Sequence, residues 1–267
     1  MPDLLPTSNS AEWHATLSCD LSCSACSRGS FLRQPHTAPM TIEDAHEFIR
    51  QARDLRWWPG IVITGGEPTL SSHFLELVRI ACEFTREPAD NPRPMAQSES
   101  RSARHVRIFS NRHTEKARRL CEEARDRYGA SLVIETQKLA GTVRGPEDYP
   151  GWGLDTFVSP EDIGKPLRVP CYQHSSQICG VSVDHDGYSP CSPGGALGAL
   201  LGVGKTKRLA DLFEPEKMAA MTEALCRHCG SCAVQMGVLT QAEVDAQPKR
   251  FNTPMSKRWV AAFEGRR

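Results

Sequence analysis

The sequence predicts an α/β protein: a parallel sheet and its helices over roughly the first 165 residues, then a small cysteine-rich second domain built on a hairpin. Three observations predict it. Short apolar runs alternate with amphipathic helical stripes along the first part of the chain. After residue 170 the alternation gives way to cysteines, glycines and an Asp186-Gly187 dipeptide suited to a tight turn. The eleven cysteines divide into three at 19–26, six at 171–232, and the isolated Cys82 and Cys121.

The elements follow in order. Residues 11–18 suit a short strand that runs into the first cysteines. Thr41, with Asp44 three residues on, opens a helix through a form of the capping box, and Ala45, Phe48, Ile49, Ala52 and Leu55 make its apolar stripe. Gly60–Thr64 reads as a buried parallel strand. A helix over 71–84 carries Phe74, Leu77, Val78 and Ala81 on one side. Val106–Phe109 is the next strand, and a helix over 114–128 is striped by Ala117, Leu120, Cys121 and Ala124. Ser131–Ile134 is a fourth strand and Thr156–Val158 a fifth. Residues 86–104, with Pro88, Pro92, Pro94 and a Ser/Arg-rich tail, interrupt this rhythm as a mobile loop insertion. Val181–Val183 leads into the hairpin.

Composition narrows the partners. Lys plus Arg equals Asp plus Glu at 32 each, so no whole-chain field draws in nucleic acid or a membrane surface, and a small substrate is expected. No stretch is long and apolar enough to span a bilayer, and Met1-Pro-Asp-Leu-Leu-Pro lacks a signal peptide's layout, so a cytoplasmic location is expected. In a reducing compartment, eleven cysteines read as metal ligands and core residues rather than disulfides. Cys82 and Cys121 lie on or beside helical apolar faces and read as core.

Cys19-Asp-Leu-Ser-Cys23-Ser-Ala-Cys26 places three thiols within eight residues, directly after a strand. A 4Fe–4S cluster normally takes four thiolates, so three leave one iron open. The alternative is zinc, completed by a distant His or Cys. Some forty residues on, the second strand ends in Gly65-Gly66-Glu67-Pro68. Strand ends of this kind are where α/β sheets bind ligands, two glycines permit close backbone approach, and a glutamate there can accept from a cationic amine.

These paired motifs resemble the radical S-adenosylmethionine superfamily over residues 12–160. The resemblance implies a partial (β/α)6 TIM-like barrel over 1–165. Cys19, Cys23 and Cys26 would hold a 4Fe–4S cluster whose open iron takes S-adenosylmethionine, fed by an external electron donor such as flavodoxin or ferredoxin. Gly65, Gly66 and Glu67, followed by Pro68, would hold the methionyl amine. Ser110-Asn111 stands where the family has Thr-Asn-Gly, Glu135 where a polar group meets the ribose, and Lys138 within reach of the methionyl carboxylate. Ala25 replaces the family's aromatic residue before the third cysteine, and Arg112 replaces the glycine of Thr-Asn-Gly.

The C-terminal cysteines are Cys171, Cys179, Cys191, Cys226, Cys229 and Cys232. Their layout resembles the SPASM/twitch auxiliary-cluster domain, which implies a hairpin-plus-helix unit over 166–240 and a tail over 241–267. In that pattern Cys171 stands at the distance before Gly187 expected of the first ligand and Cys179 too close. Cys171, Cys191, Cys226 and Cys229 are therefore the expected ligands of a second 4Fe–4S cluster. The alternative is a zinc knuckle of Cys226, His228, Cys229 and Cys232. Gly198–Thr206 superficially matches a phosphate loop, but Ala199 and the lack of a preceding strand argue for a glycine-rich crossing.

The expected function is hydrogen abstraction from a small polar metabolite, such as a sugar, aminocyclitol or nucleoside, giving oxidation or epimerisation. In the epimerase reading Cys232, or failing that Cys179, supplies the returning hydrogen. The alternatives are a peptide-modifying enzyme of the same chemistry and a non-catalytic iron–sulfur or zinc protein.

Overall fold

The structure is a computed structural model that describes residues 10–21, 26, 28–30, 38–88, 105–136, 156–166, 171, 180–231, 233–234, 236–250 and 253–265. Four parallel strands, β1 (Ser10–Thr16), β2 (Gly60–Gly65), β3 (Val106–Ser110) and β4 (Leu132–Thr136), lie side by side in chain order. Helices α1 (Ile42–Asp54), α2 (Phe74–Arg86) and α3 (Glu115–Tyr128) make the crossovers between them. Three successive βα units with neighbouring strands paired form an arc of the kind a partial barrel requires. Strands five and six of a (β/α)6 barrel are not among the described residues.

Local chemistry sets the helix starts. The Thr41 hydroxyl accepts from the Asp44 amide while the Asp44 carboxylate accepts from the Thr41 amide, completing the expected capping box. Thr114 caps α3 by accepting from Ala117. Helix α2 starts later than expected because Pro68–Leu70 forms a separate 3-10 turn.

Side chains alternate across the sheet. Ala11, Trp13 and Ala15 of β1, Ile61 and Ile63 of β2, and Val106 and Ile108 of β3 pack with the stripes of α1 and α2 into one core. Phe48 anchors it, edge-on to Trp13 at 5.6 Å, Trp57 at 6.0 Å and Phe84 at 6.3 Å. Trp58 stacks on Phe84, so the tryptophan pair after α1 packs rather than binds a ligand. Cys82 and Cys121 are fully buried in this core, and burial pushes the Cys82 thiol up to about 11. Both should therefore resist iodoacetamide in the native protein at about pH 8, where only thiolate reacts. Peptide mass mapping after native labelling checks this, and labelling of either would show that its helix opens.

The hairpin does not form a sheet of its own. Strand β5 (Val181–Asp184) pairs parallel with β1 (Ala11 with Val181, Trp13 with Val183), and β6 (Gly187–Ser189) returns antiparallel. The sheet order is β4-β3-β2-β1-β5-β6. Val181 and Val183 join the same core as Ala11 and Trp13, which fixes this register.

Residues 156–158 form turns, not the expected fifth strand. Phe157 and Val158 point into two different apolar clusters, which produces a strand-like alternation in the sequence. Their backbone carries no ladder: the Thr156 carbonyl accepts from Gly230 and the Phe157 carbonyl from Ser256. Helix α4 (Ser192–Leu201) covers the far face of the sheet over β1 and β5. Helices α5 (Pro215–Cys226), α6 (Gln241–Asp245) and α7 (Lys257–Glu264) complete the C-terminal half, with a two-residue hairpin, β7 (Lys249–Arg250) and β8 (Thr253–Pro254), before α7. Among the described residues no helix is long and apolar enough to cross a membrane. Most of the 86–104 insertion lies outside the described residues.

Candidate active site

The chain leaves β1 at Thr16 and is clasped at once to the end of β2. The Gly66 amide donates to the Thr16 carbonyl at 2.7 Å and the Glu67 amide to the Ser18 carbonyl at 2.8 Å. Both glycines are required by this clasp. A Cβ on Gly65 would lie 2.1 Å from the Thr16 carbonyl oxygen, and one on Gly66 2.1 Å from that of Ser18. Gly65 also takes a φ of +123°, a region closed to other residues. The pair therefore seats the cysteine loop on the sheet, whatever ligand approaches it. Because the clash is with backbone, Gly66→Ala should cost about 3 kcal/mol and displace the loop, read as a lower urea midpoint together with poorer iron loading.

Glu67 has a structural role that its sequence position does not show. Its carboxylate is fully buried and accepts four bonds: from the Thr69 amide (3.1 Å) and hydroxyl (2.6 Å), the Ser110 hydroxyl (2.9 Å) and the Asn111 amide (2.7 Å). It pins the end of β3 to the end of β2. Pro68 is buried and opens the 3-10 turn that brings Thr69 back to it.

Asn111 carries this pin to the cysteine loop. Its Nδ2 donates to Asp20 Oδ1 at 2.7 Å and lies 3.8 Å from the Cys19 sulfur. Arg112 keeps a left-handed backbone with φ 50°, the conformation that a glycine would take without strain there. The Cys19 sulfur also accepts from the Leu21 amide at 3.5 Å. Burial, above all, pushes the Cys19 thiol up to about 12, opposed by the Leu21 amide and reinforced by the neighbouring Cys26, Asp20 and Glu67. Cys19 and Cys26 are thus neighbours, though Cys23 lies outside the described residues, as does Lys138.

Glu135 and Arg107 face the inner side of the sheet, 3.4 Å apart and each more than a third exposed. On this side the sheet is polar, and α4 buries its β1–β5 half. His14 lies there, fully buried between the Ser182 hydroxyl on Nδ1 (3.4 Å) and the Ser192 hydroxyl on Nε2 (3.2 Å). Burial, then Arg28 and Lys205, holds its pKa well below the ordinary value. Sequence reading found no partner for His14, because both lie about 170 residues away.

Four of the six C-terminal cysteines are among the described residues, and they lie within electrostatic reach of one another. Cys171 is buried, Cys191 is the N-cap of α4 with its sulfur accepting from the Gly194 amide at 3.3 Å, Cys226 ends α5, and Cys229 follows it. Burial is the largest influence raising the thiols of Cys191, Cys226 and Cys229, and mutual repulsion is the next. Cys171 and Cys191 act on both Cys226 and Cys229, so the four thiols share one neighbourhood. Burial pushes Cys191 up to about 12. His228, the fourth group of the zinc alternative, is engaged elsewhere: its Nδ1 stands 2.6 Å from Arg258. Cys179 and Cys232 lie outside the described residues. Among the described residues no three His, Cys, Asp or Glu side chains are drawn around a single-ion centre. A 4Fe–4S cluster instead takes each thiolate on a different iron, so its ligands stand farther apart.

Both cysteine groups border one apolar cluster. Cys26 and Cys229 each pack against Phe157, Leu197, Leu200, Leu225, Met255 and Trp259. None of the described cysteines is in a disulfide. Soft, neutral-to-anionic sulfur donors beside apolar side chains fit an iron–sulfur group in both places.

No curated protein matches the chain. Among the solved structures that match are two of BtrN. BtrN in an open conformation matches with a TM-score of 0.44 and 14% identity, over 83% of this chain and 86% of that one. BtrN in complex with AdoMet and 2-DOIA matches with a TM-score of 0.46 and 15% identity, over 85% and 95%. The family model described as the radical SAM superfamily matches residues 14–135, which run from the end of β1 through the first cysteine group, the glycine clasp and β3 to Glu135 in β4. Over residues 14–135 the chain is thus similar to the radical SAM superfamily.

Proposed function

We propose that the chain is a radical S-adenosylmethionine enzyme that abstracts hydrogen from a small polar metabolite, with a second 4Fe–4S cluster on Cys171, Cys191, Cys226 and Cys229. The observation that carries the reading is the seating of the Cys19–Cys26 loop on the Gly65-Gly66 clasp at the open end of the sheet. Bound there and reduced by an external donor such as flavodoxin or ferredoxin, the cluster would supply the electron that cleaves S-adenosylmethionine.

The chain's own residues do the rest. Glu67 and Asn111 fix the loop's position relative to β3. In this reading Gly65 and Gly66 would hold the methionyl amine, Glu135 would meet the ribose hydroxyls, and Lys138 would reach the carboxylate. The exposed Arg107–Glu135 pair on the inner face supports a polar substrate, since it offers donors and an acceptor side by side. The four converging thiols support the second cluster and a dehydrogenation, in which the substrate's electron leaves through it. In the epimerisation arm, Cys232 or Cys179 returns the hydrogen. A hairpin-plus-helix unit over 166–240 remains the proposed boundary of the cluster-bearing part.

Anaerobic reconstitution tests the reading. The reduced protein should hold about eight irons per chain and convert S-adenosylmethionine to 5′-deoxyadenosine. Zinc in the C-terminal site, in protein purified without added metal, would overturn the second-cluster assignment.

A further inference from the structure

A buried polar bridge joins the two cysteine groups. Arg28 lies two residues beyond Cys26, and its Nη2 donates to Glu12 Oε2 at 2.8 Å. Ser192, the residue after Cys191, donates its hydroxyl to the same oxygen. Glu12 Oε1 accepts from the Gly180 amide at 3.4 Å. His14 holds the other side of Ser192. The ion pair is largely withdrawn from water, at 14% exposure for Glu12 and 16% for Arg28, and among the described residues Arg28 Nη1 is buried with no hydrogen-bond partner. An ion pair so placed costs desolvation that a surface pair avoids, and it connects segments about 180 residues apart.

We propose that Glu12 and Arg28 are positioning residues that hold Cys191 through Ser192 and set the reduction potential of the C-terminal cluster; this rests on the two-cluster reading above. Cluster potentials follow net charge, hydrogen bonding to sulfur, and exposure. Reduction adds a negative charge, so a nearby anion opposes it and a nearby cation favours it, strongly where water is excluded. The two charges of the bridge offset one another beside Cys191, and removing either exposes the other. The near-isosteric variants therefore act in opposite directions. Glu12→Gln raises the midpoint potential, because Arg28 is left uncompensated. Arg28→Gln lowers it for the converse reason. The double variant returns close to wild type. A residue that only supported the fold would shift both single variants the same way, or neither.

The test is a potentiometric titration of the reconstituted full chain, followed by electron paramagnetic resonance and visible absorption. The chain carrying Cys19→Ala, Cys23→Ala and Cys26→Ala identifies the C-terminal signal. About four irons in that chain, with opposite shifts for Glu12→Gln and Arg28→Gln, supports the bridge. Equal or same-direction shifts with iron retained overturn the bridge and leave the two-cluster reading standing. No iron in the triple-alanine chain overturns both. Should a single variant fail to load iron, recovered loading in the double variant supports charge compensation, and continued failure overturns it.

Discussion

Replacing Cys19, Cys23 and Cys26 together by Ala should reduce 5′-deoxyadenosine formation to background and remove about four irons per chain. The effect is complete because the loop after β1 offers no other soft ligand in reach among the described residues. Its carboxylate beside Cys19, Asp20, is bonded to Asn111 of the turn after β3 at 2.7 Å. The triple variant should still fold. Cys19 and Cys26 are only partly buried, and the loop is tied to the sheet through the Gly66 and Glu67 amides, which the substitutions leave alone. An unchanged thermal midpoint with lost turnover would locate the defect in the cluster. Undiminished product would remove the catalytic assignment.

Glu67→Ala should lower stability by roughly 3–5 kcal/mol, a fall of roughly 10 °C in thermal midpoint for a chain of this size. The substitution strands four donors in a fully buried place: Thr69 amide and hydroxyl, Ser110 hydroxyl and Asn111 amide. The turn after β3 would then release Asn111 and slacken its hold on Asp20, so iron retention should fall as well. Glu67→Gln keeps the shape but sets an amide N–H against donors, so a smaller loss is expected. An amine-binding carboxylate would behave otherwise, with stability unchanged and S-adenosylmethionine affinity reduced. Calorimetry beside a binding titration separates the two.

What the sequence makes legible is what neighbours in the chain decide. Apolar periodicity located β1 to β4 and the three helices between them, because each element's core face is written in its own residues. The role of Glu67 is not written that way. A glutamate at a strand end reads as an open acceptor until the structure folds Thr69 back onto it and brings Ser110 and Asn111 across from β3. The glycines were legible, but the carbonyls of Thr16 and Ser18 were not, since a ligand and a neighbouring backbone make the same demand for a missing Cβ. Residues 156–158 misled because alternating burial arises equally from a strand in a sheet and from a turn wedged between two apolar clusters. The Arg28–Glu12–Ser192 bridge had no signal at all, as isolated polar residues on a strand, a loop and a helix start show nothing of their meeting.

The pairing of β5 with β1 bears on how far this protein can be divided. A fragment stopping short of residue 180 would keep every βα unit of the barrel arc and yet leave β1 as a bare edge, with Ala11 and Trp13 stripped of Val181 and Val183. Exposed edges of that kind recruit other chains. The partly buried Glu12 and the buried His14 would lose Ser192 and Ser182 in the same cut. The cysteine-rich half is therefore no cassette to be removed or exchanged between relatives: it supplies the strand that seals the catalytic half, and the two must be inherited, expressed and engineered as one piece.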